Sequence, residues 1–481
     1  MYDAVVIGAG VVGGLIARKL TSCSQKVCIA DKASDIAMGA TKANSAIVHA
    51  GFDAKAGSLK AKLNKLGSDM MEKVCSELGV KYIRNGSLVL GYNDEDKKSL
   101  EAILENGKLN GIEGLKLIDA KELHDLEPNV SDDAIWALHA PTGAIVCPYE
   151  LCEAAIGNAM DNGAQLELGF EVCEITNDES GYTIVAKDGR KLQAKIVINA
   201  AGAYSDEMAK LVGDNSFDVH PRKGEYILLD KEYGFVTKHT LFTVPTKMGK
   251  GILVSPTVDG NLILGPTAVD FDEKENKQTT REGINSVITE SRRMVKNAPS
   301  NMAITSFCGL RSVGSTGDFI INSPQKGFIN VAGIESPGLS ASPAIAEYIA
   351  EMLKNDGFTL KPKADFNPVR EATHKFSSLS DEEKNEIIKN DPSFGKIICR
   401  CENVTEGEIL RAIRTNPKAT TLDGVKRRTR AQMGRCQGGF CSPYITELLA
   451  KELGITMEEV TKSGKGSFIL AGKTKGDLKD A

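Results

Sequence analysis

Hydrophobic positions first gather at residues 4–7 (Ala-Val-Val-Ile), with no polar residue among them. A short apolar run without alternation is the pattern of a strand buried on both faces, as in a parallel sheet. Gly8-x-Gly10-x-x-Gly13 follows, and then residues 15–20, which read as a helix. A second strand, 26–30, ends at Asp31, 23 residues after Gly8. Strand, glycine loop, helix and acid in this order predict a dinucleotide-binding unit. Gly8 permits the tight turn, Gly10 lets backbone approach a pyrophosphate, Gly13 lets helix and strand pack closely, and Asp31 takes a ribose hydroxyl. The helix N-terminus turns its dipole and free N–H groups to the phosphates.

Further along, the period changes repeatedly. Leu63, Leu66, Met70 and Val74 recur at three and four residues and predict a helix over 60–78. Residues 87–90 read as a strand, 99–107 as a helix closing at Gly107, and 148–163 as a helix opened by Pro148. Trp136, the single tryptophan, is assigned to packing. The runs 182–185 and 195–198 flank Asp188-Gly189, and 252–254 and 262–264 flank Asp259-Gly260, so both read as hairpins. Residues 218–265 are β-rich, which predicts an antiparallel substrate domain inserted in the nucleotide-binding one. The chain returns to the nucleotide fold at 197–205 and 328–333, strands that end in small residues and can pass close under a ligand. A helix over 344–353 closes that part. Residues 361–396 read as a linker holding one helix, capped by Ser380-x-x-Glu383 and stopped by Asn390-Asp391-Pro392. Thr405-x-x-Glu408 caps a further helix, Pro443 lies near the start of another, and 467–470 suggest a short strand.

Composition narrows the class. A chain of 481 residues with 41% hydrophobic and 26% charged residues implies a soluble globular protein of two to four domains. A net charge of −5 argues against nucleic acid as the main partner. No apolar run reaches the ~18 residues of a membrane span. A strand entered almost at Met1 leaves no room for a signal peptide, and eleven cysteines, an odd number, fit a reducing cytoplasm better than a disulfide scaffold.

The candidate chemistry lies in three places. Residues 38–51 are rich in small side chains, so their backbone can lie against a flat ring, and they carry His49. The β-rich region carries Arg222, Lys223, Lys247 and Lys250, of which Lys250 stands out between two glycines. Arg311, in Gly309-Leu310-Arg311-Ser312, reads as part of a compact loop and suits a fork around a carboxylate or phosphate. Finally, Cys399-x-Cys401 and Cys436-x-x-x-x-Cys441 form two tight pairs within 42 residues, one four-thiolate site open to zinc or to [2Fe-2S] by ligand type. The flanking Arg400, Lys426, Arg427, Arg428, Arg430 and Arg435 would offset thiolate charge. The other seven cysteines read as packing residues, with Cys308 nearest the expected site.

The motifs GAGVVG, GATKANSAIVHAGFD, VINAAGAYSDEMA, GLRS and VAGIESPGLSASPA, in that order, resemble the FAD-dependent glycerol-3-phosphate dehydrogenase/oxidase branch of the D-amino-acid-oxidase superfamily over residues 1–352. The stretch VTEGEI…TTLDGVKRRTRAQMGRCQGGFC resembles the bacterioferritin-associated-ferredoxin type of [2Fe-2S] domain, found at the C-terminus of the anaerobic dehydrogenase's large subunit. The simplest form of that domain uses CxC and CxxC; the Cx4C here is as in the dehydrogenase-fused variety. The expected architecture is α/β: a Rossmann-like FAD-binding domain from 1–80, 143–216 and 327–358, with an antiparallel-β substrate domain inserted as 81–142 and 217–326. A linker (359–395), a small, mainly helical [2Fe-2S] domain (396–461) and a tail (462–481) follow.

The resemblance implies FAD, its adenine end on Gly8, Gly10, Gly13 and Asp31 and its ring near Ser45, His49, Gly338, Leu339 and Ser340. Lys32, Thr41, Ala201, Gly202 and Gly333 complete the cofactor set. It implies that His49 takes the substrate hydroxyl proton, that Lys250 and Arg311 hold the anionic end with Ser340 near it, and that Cys399, Cys401, Cys436 and Cys441 hold the cluster. No covalent flavin attachment is identified. A cluster domain favours a dehydrogenase over an oxidase, and with no second GxGxxG the electrons are expected to pass to a partner, a second flavoprotein or reductase subunit. Glycerol 3-phosphate is the expected substrate. L-2-hydroxyglutarate is the alternative, an amino acid or opine the third, and a non-catalytic electron-transfer subunit is opposed by His49, Lys250 and Arg311. The expected location is cytoplasmic, with peripheral membrane contact left open.

Overall fold

The opening apolar run lies at the centre of a sheet. In the computed structural model, which describes residues 1–245, 251–296, 298–371 and 376–472, strand Tyr2–Ile7 pairs in parallel with Val27–Asp31 on one side and Lys191–Asn199 on the other. The sheet has eight strands, in the order Val172–Asp178, Gly181–Ala186, Lys191–Asn199, Tyr2–Ile7, Val27–Asp31 and Gln165–Leu168. Phe328–Ala332 adds in parallel to Lys191–Asn199, and Ile320–Gln325 adds antiparallel to Phe328–Ala332. The expected segment 217–326 therefore contributes its last strand to this sheet, not to the substrate sheet. Helices Val11–Thr21, Leu59–Leu78, Pro148–Asp161 and Gly338–Asn355 pack against one another. Leu59–Leu78 and Gly338–Asn355 touch backbone to backbone at Gly67, where a Cβ would lie 2.2 Å from the Ser340 carbonyl oxygen.

A second, nine-stranded sheet runs Val269–Asp270, Val219–Leu229, Leu262–Gly265, Leu253–Pro256, Thr240–Thr243, Ser87–Gly91, Trp136–Ala140, Lys116–Asp119, with Ala303–Gly314 along the other edge of Val219–Leu229. All its pairs are antiparallel except Thr240–Thr243 with Ser87–Gly91, the seam where the two inserted segments meet. Trp136 starts a strand there, with Lys97 Nζ 3.8 Å above its ring, a packing role. Arg311 lies on the long strand Ala303–Gly314, opposite Arg222, and not in a loop. The helix expected over 344–353 begins at Gly338 and contains Pro343. The Leu339 carbonyl, which Pro343 cannot serve, accepts from the Ser342 hydroxyl at 2.7 Å. The helix expected at 99–107 spans Asp94–Leu109, because Asn93 caps it by accepting from the N–H groups of Glu95 and Asp96.

These elements form one unit, Met1–Asp31 with Ala37–Arg370; the second comprises Lys32–Ile36 and Glu371–Ala481. In the second unit, helices Asp381–Asn390 and Glu406–Arg414 both start at complete capping boxes, and Glu406–Arg414, Leu422–Thr429 and Ser442–Leu453 pack around Ile409, Val425, Ile445 and Leu449. Instead of a strand at 467–470 there is a single bridge, Thr461 to Phe468. No helix among the described residues is long and apolar enough to cross a membrane.

Candidate functional site

The glycine loop opens one end of a long cavity in the first unit. Gly8 has φ +116°, and a Cβ there would lie 2.3 Å from the Ala200 carbonyl oxygen. A Cβ on Gly13 would lie 2.0 Å from the Gly8 oxygen, so strand and helix meet only without side chains. Gly10 lines the cavity at the N-terminus of the helix, where Val11 N–H donates to Thr41 Oγ1 at 3.0 Å. Asp31 lines the same end, and its Oδ2 accepts from Ala9 N–H at 2.7 Å. From there the cavity passes Thr41, Ser45, Ala201 and Gly202 and reaches His49, Arg311, Gly338 and Leu339.

Three expected cofactor residues do not line it. Lys32 is exposed and falls within the Lys32–Ile36 segment of the second unit. Gly333, at φ +62°, turns the strand end Ala332 into the loop 334–337 against Gly314. Ser340 is fully buried: its hydroxyl accepts from His49 N–H at 2.8 Å and donates to the Ile47 carbonyl at 3.4 Å. It holds the backbone of His49.

His49 follows the short strand Ile47–Val48, and its Nε2 lies 3.2 Å from Ser336 Oγ. The Phe242 ring flanks the imidazole at 6.0 Å between centroids. Arg311 is oriented by Nη2 donating to the Thr267 carbonyl at 3.2 Å, and the neighbouring Arg222 is held by Asp270 at 2.6 Å. Lys60 pairs with Glu335 at 2.6 Å and so fixes the loop that carries Ser336. Tyr226 stacks on Phe307 at 4.7 Å, and its hydroxyl reaches Ser45 Oγ at 3.2 Å. Tyr226 and Lys60 lie in no motif, and Glu335, inside VAGIESPGLSASPA, has no role that sequence patterns assign. A second cavity, about 320 Å³, adjoins the first and shares His49 and Arg311 with it. Lys250 and Lys247 lie outside the described residues. Cys308 is buried, burial pushes its thiol up, and it lines neither cavity.

In the second unit the four cysteines come together as two pairs. The thiols of Cys399 and Cys441 hydrogen-bond each other, as do those of Cys401 and Cys436. The first pair is buried; Cys401 is exposed and Cys436 half-buried. The Cys441 hydrogen bond draws Cys399 down to about 6, helped by the N–H groups of Gln432 and Glu402. Backbone N–H groups of Phe440, Gly438 and Gly439 point at Cys436. The loops bend through left-handed residues at Asn403, Arg430, Gln432 and Gln437. The basic residues do not simply face the sulfurs: Arg430 pairs with buried Glu402 at 2.9 Å, and Arg427 and Arg428 both clasp Asp35.

Both cofactor readings can be tested on these features. An elongated cavity that starts at a side-chain-free helix N-terminus with an acid beside it, and ends at a histidine and small residues, fits a dinucleotide carrying a flat ring. One tetrahedral ion would bring four sulfurs to about 3.8 Å of one another. Among the described residues no three of these sulfurs gather within 4.8 Å; the one such grouping is Cys147, Glu150 and Asp259. Two separate thiolate pairs fed by backbone N–H donors suit two bridged irons.

Fold and site thus define a flavin-dependent redox enzyme with a cluster-bearing module. The chain belongs to the FAD dependent oxidoreductase family, whose model matches residues 3–352, and residues 397–451 match the BFD-like [2Fe-2S] binding domain. FAD and a [2Fe-2S] cluster are its cofactors. Glycerol 3-phosphate dehydrogenase of Caloramator mitchellensis is 48% identical over 99% of this chain and 100% of its own. Glycerol 3-phosphate oxidase of Mycoplasma pneumoniae is 30% identical over 75% of this chain and 96% of its own. The dithionite-reduced L-alpha-glycerophosphate oxidase of the same organism, with FAD bound, superposes with a TM-score of 0.73 at 28% identity, over 77% of this chain and 98% of that one.

Proposed function

We propose that the first unit oxidises glycerol 3-phosphate to dihydroxyacetone phosphate, and that the electrons leave through the [2Fe-2S] domain. The observation that carries the reading is the cavity that puts His49 and Arg311 beside Ser45, Gly338 and Leu339. FAD supplies, when bound, the acceptor for the hydride that leaves C2. His49 takes the proton of the hydroxyl on that same carbon, so that loss of hydride and proton together leaves the ketone. The Ser340 hydroxyl fixes the histidine backbone for that transfer, and the Lys60–Glu335 pair fixes Ser336 at its ring. Arg311 presents its guanidinium to the phosphate, with Lys250 as the second cation on the reading of the sequence.

Comparison of lengths supports a dehydrogenase over an oxidase. The oxidase relative is matched over nearly all of its own length yet leaves a quarter of this chain uncovered, whereas the dehydrogenase relative matches end to end. The cluster gives the electrons an exit other than oxygen. The exposed Cys401–Cys436 side is the edge from which they pass to a partner, a second flavoprotein or reductase subunit, in the reducing cytoplasm where four thiolates stay reduced.

His49→Asn tests the role of the base. The variant should keep its FAD while reduction of the flavin by glycerol 3-phosphate slows by about 10²- to 10⁴-fold. A wild-type rate would remove His49 as the base.

A further inference from the structure

The cavity beside His49 carries a polar side chain whose acceptor finds no hydrogen-bond donor among the described residues. Asn64, on the inner face of helix Leu59–Leu78, is 1% exposed and lines the cavity of about 320 Å³ that also holds His49 and Arg311. Among the described residues its Oδ1 has no hydrogen-bond partner. Its amide nitrogen lies against Gly51, where a Cβ would be 2.8 Å away. Neighbouring polar groups of the same wall are committed: Lys60 to Glu335, Arg222 to Asp270, and Ser45 to Tyr226. A buried acceptor left open is costly in a folded protein, and one on a cavity wall is satisfied when a ligand brings the missing donor.

We propose that Asn64 is a specificity-determining residue: its Oδ1 accepts a hydrogen bond from the primary alcohol of the substrate. The inference rests on the function proposed above. An amide oxygen needs a donor. An alcohol supplies one, whereas a carboxylate or a phosphate dianion has only acceptors to offer. One cavity therefore holds a guanidinium for an anion and an acceptor for a hydroxyl, which selects a substrate with an anionic group at one end and an alcohol at the other. Glycerol 3-phosphate has those ends. L-2-hydroxyglutarate, anionic at both, would bring a second carboxylate against Oδ1.

The test compares glycerol 3-phosphate with propane-1,2-diol 1-phosphate, which keeps the phosphate and the C2 alcohol but has a methyl group in place of the primary alcohol. Anaerobic stopped-flow reduction of the flavin is measured for both, with the wild-type holoenzyme and with Asn64→Ala. A site built to bond a hydroxyl rejects the analogue that lacks it, so the wild type should prefer glycerol 3-phosphate by about 10²-fold. In Asn64→Ala the preference should fall to within about threefold, because the loss falls on glycerol 3-phosphate alone. Equal rates for the two phosphates in the wild type would overturn the inference while leaving the proposed function standing, and this outcome does not depend on how well the variant folds. An undiminished preference in Asn64→Ala would overturn it as well. Flavin that neither phosphate reduces would overturn both the inference and the function beneath it.

Discussion

Replacing Asp35 with alanine should lower the stability of the second unit sharply. Its carboxylate is 3% exposed and accepts from Arg428 Nη2 at 2.8 Å and Nη1 at 3.0 Å, and from Arg427. Burial by itself would raise the carboxyl, but Arg428 first and Arg427 second hold it below the ordinary carboxylate range. Alanine leaves two buried guanidinium groups without their anion. Breaking one buried pair costs about 3–5 kcal/mol; with two cations sharing one carboxylate, about 4–5 kcal/mol is expected. Asp35→Asn keeps the shape and an acceptor oxygen, so about 2–3 kcal/mol is expected there, near the worth of hydrogen bonds to charged groups. At a urea m-value of about 2 kcal/mol per molar, the alanine variant's midpoint should fall by about 2 M. The assay is urea unfolding at neutral pH followed by visible circular dichroism of the cluster. A loss under about 1 kcal/mol would refute the reasoning, because it would mean that the clasp around Asp35 contributes little. The pH dependence has a definite sign. A carboxyl lowered in the folded state contributes stability above its unfolded value of about 3.9 and loses it as pH falls through the folded value. Wild type and Asp35→Ala should therefore converge only below about pH 4.

Two further variants test single contacts. Ser340→Ala strands the buried His49 N–H that now donates at 2.8 Å; FAD content should hold while flavin reduction by glycerol 3-phosphate slows about 10- to 100-fold, the effect of a small misplacement of the base. Cys401→Ser should lose the visible cluster spectrum and keep the flavin spectrum; an intact [2Fe-2S] spectrum would exclude Cys401 as a ligand.

What could be read from the sequence was local. Gly8, Gly10 and Gly13 between a strand and a helix, the capping boxes at Ser380 and Thr405, and the cysteine spacing each act within a few residues, so pattern alone carries them. What could not be read depends on distant partners. Arg311 sits among glycine and serine and looks like a loop, yet its strand is made by pairing with Val219–Leu229, some eighty residues away. Nothing around Ser340 tells that its hydroxyl lies under the backbone of His49, nearly three hundred residues earlier in the chain. The arginines before Cys436 look like counter-ions for thiolates; Asp35, four hundred residues upstream, and Glu402 take three of them. Asn64 interrupts an amphipathic helix without any motif, and only the cavity gives its open acceptor a meaning.

On the proposed function, one chain oxidises glycerol 3-phosphate and gathers the electrons on two cofactors. An anaerobic absorbance titration of the purified protein with glycerol 3-phosphate tests it most directly. Flavin bands with an added iron–sulfur shoulder, both bleached by this substrate, are the expected result. Flavin and cluster bands that glycerol 3-phosphate leaves untouched, and that L-2-hydroxyglutarate bleaches, would contradict it.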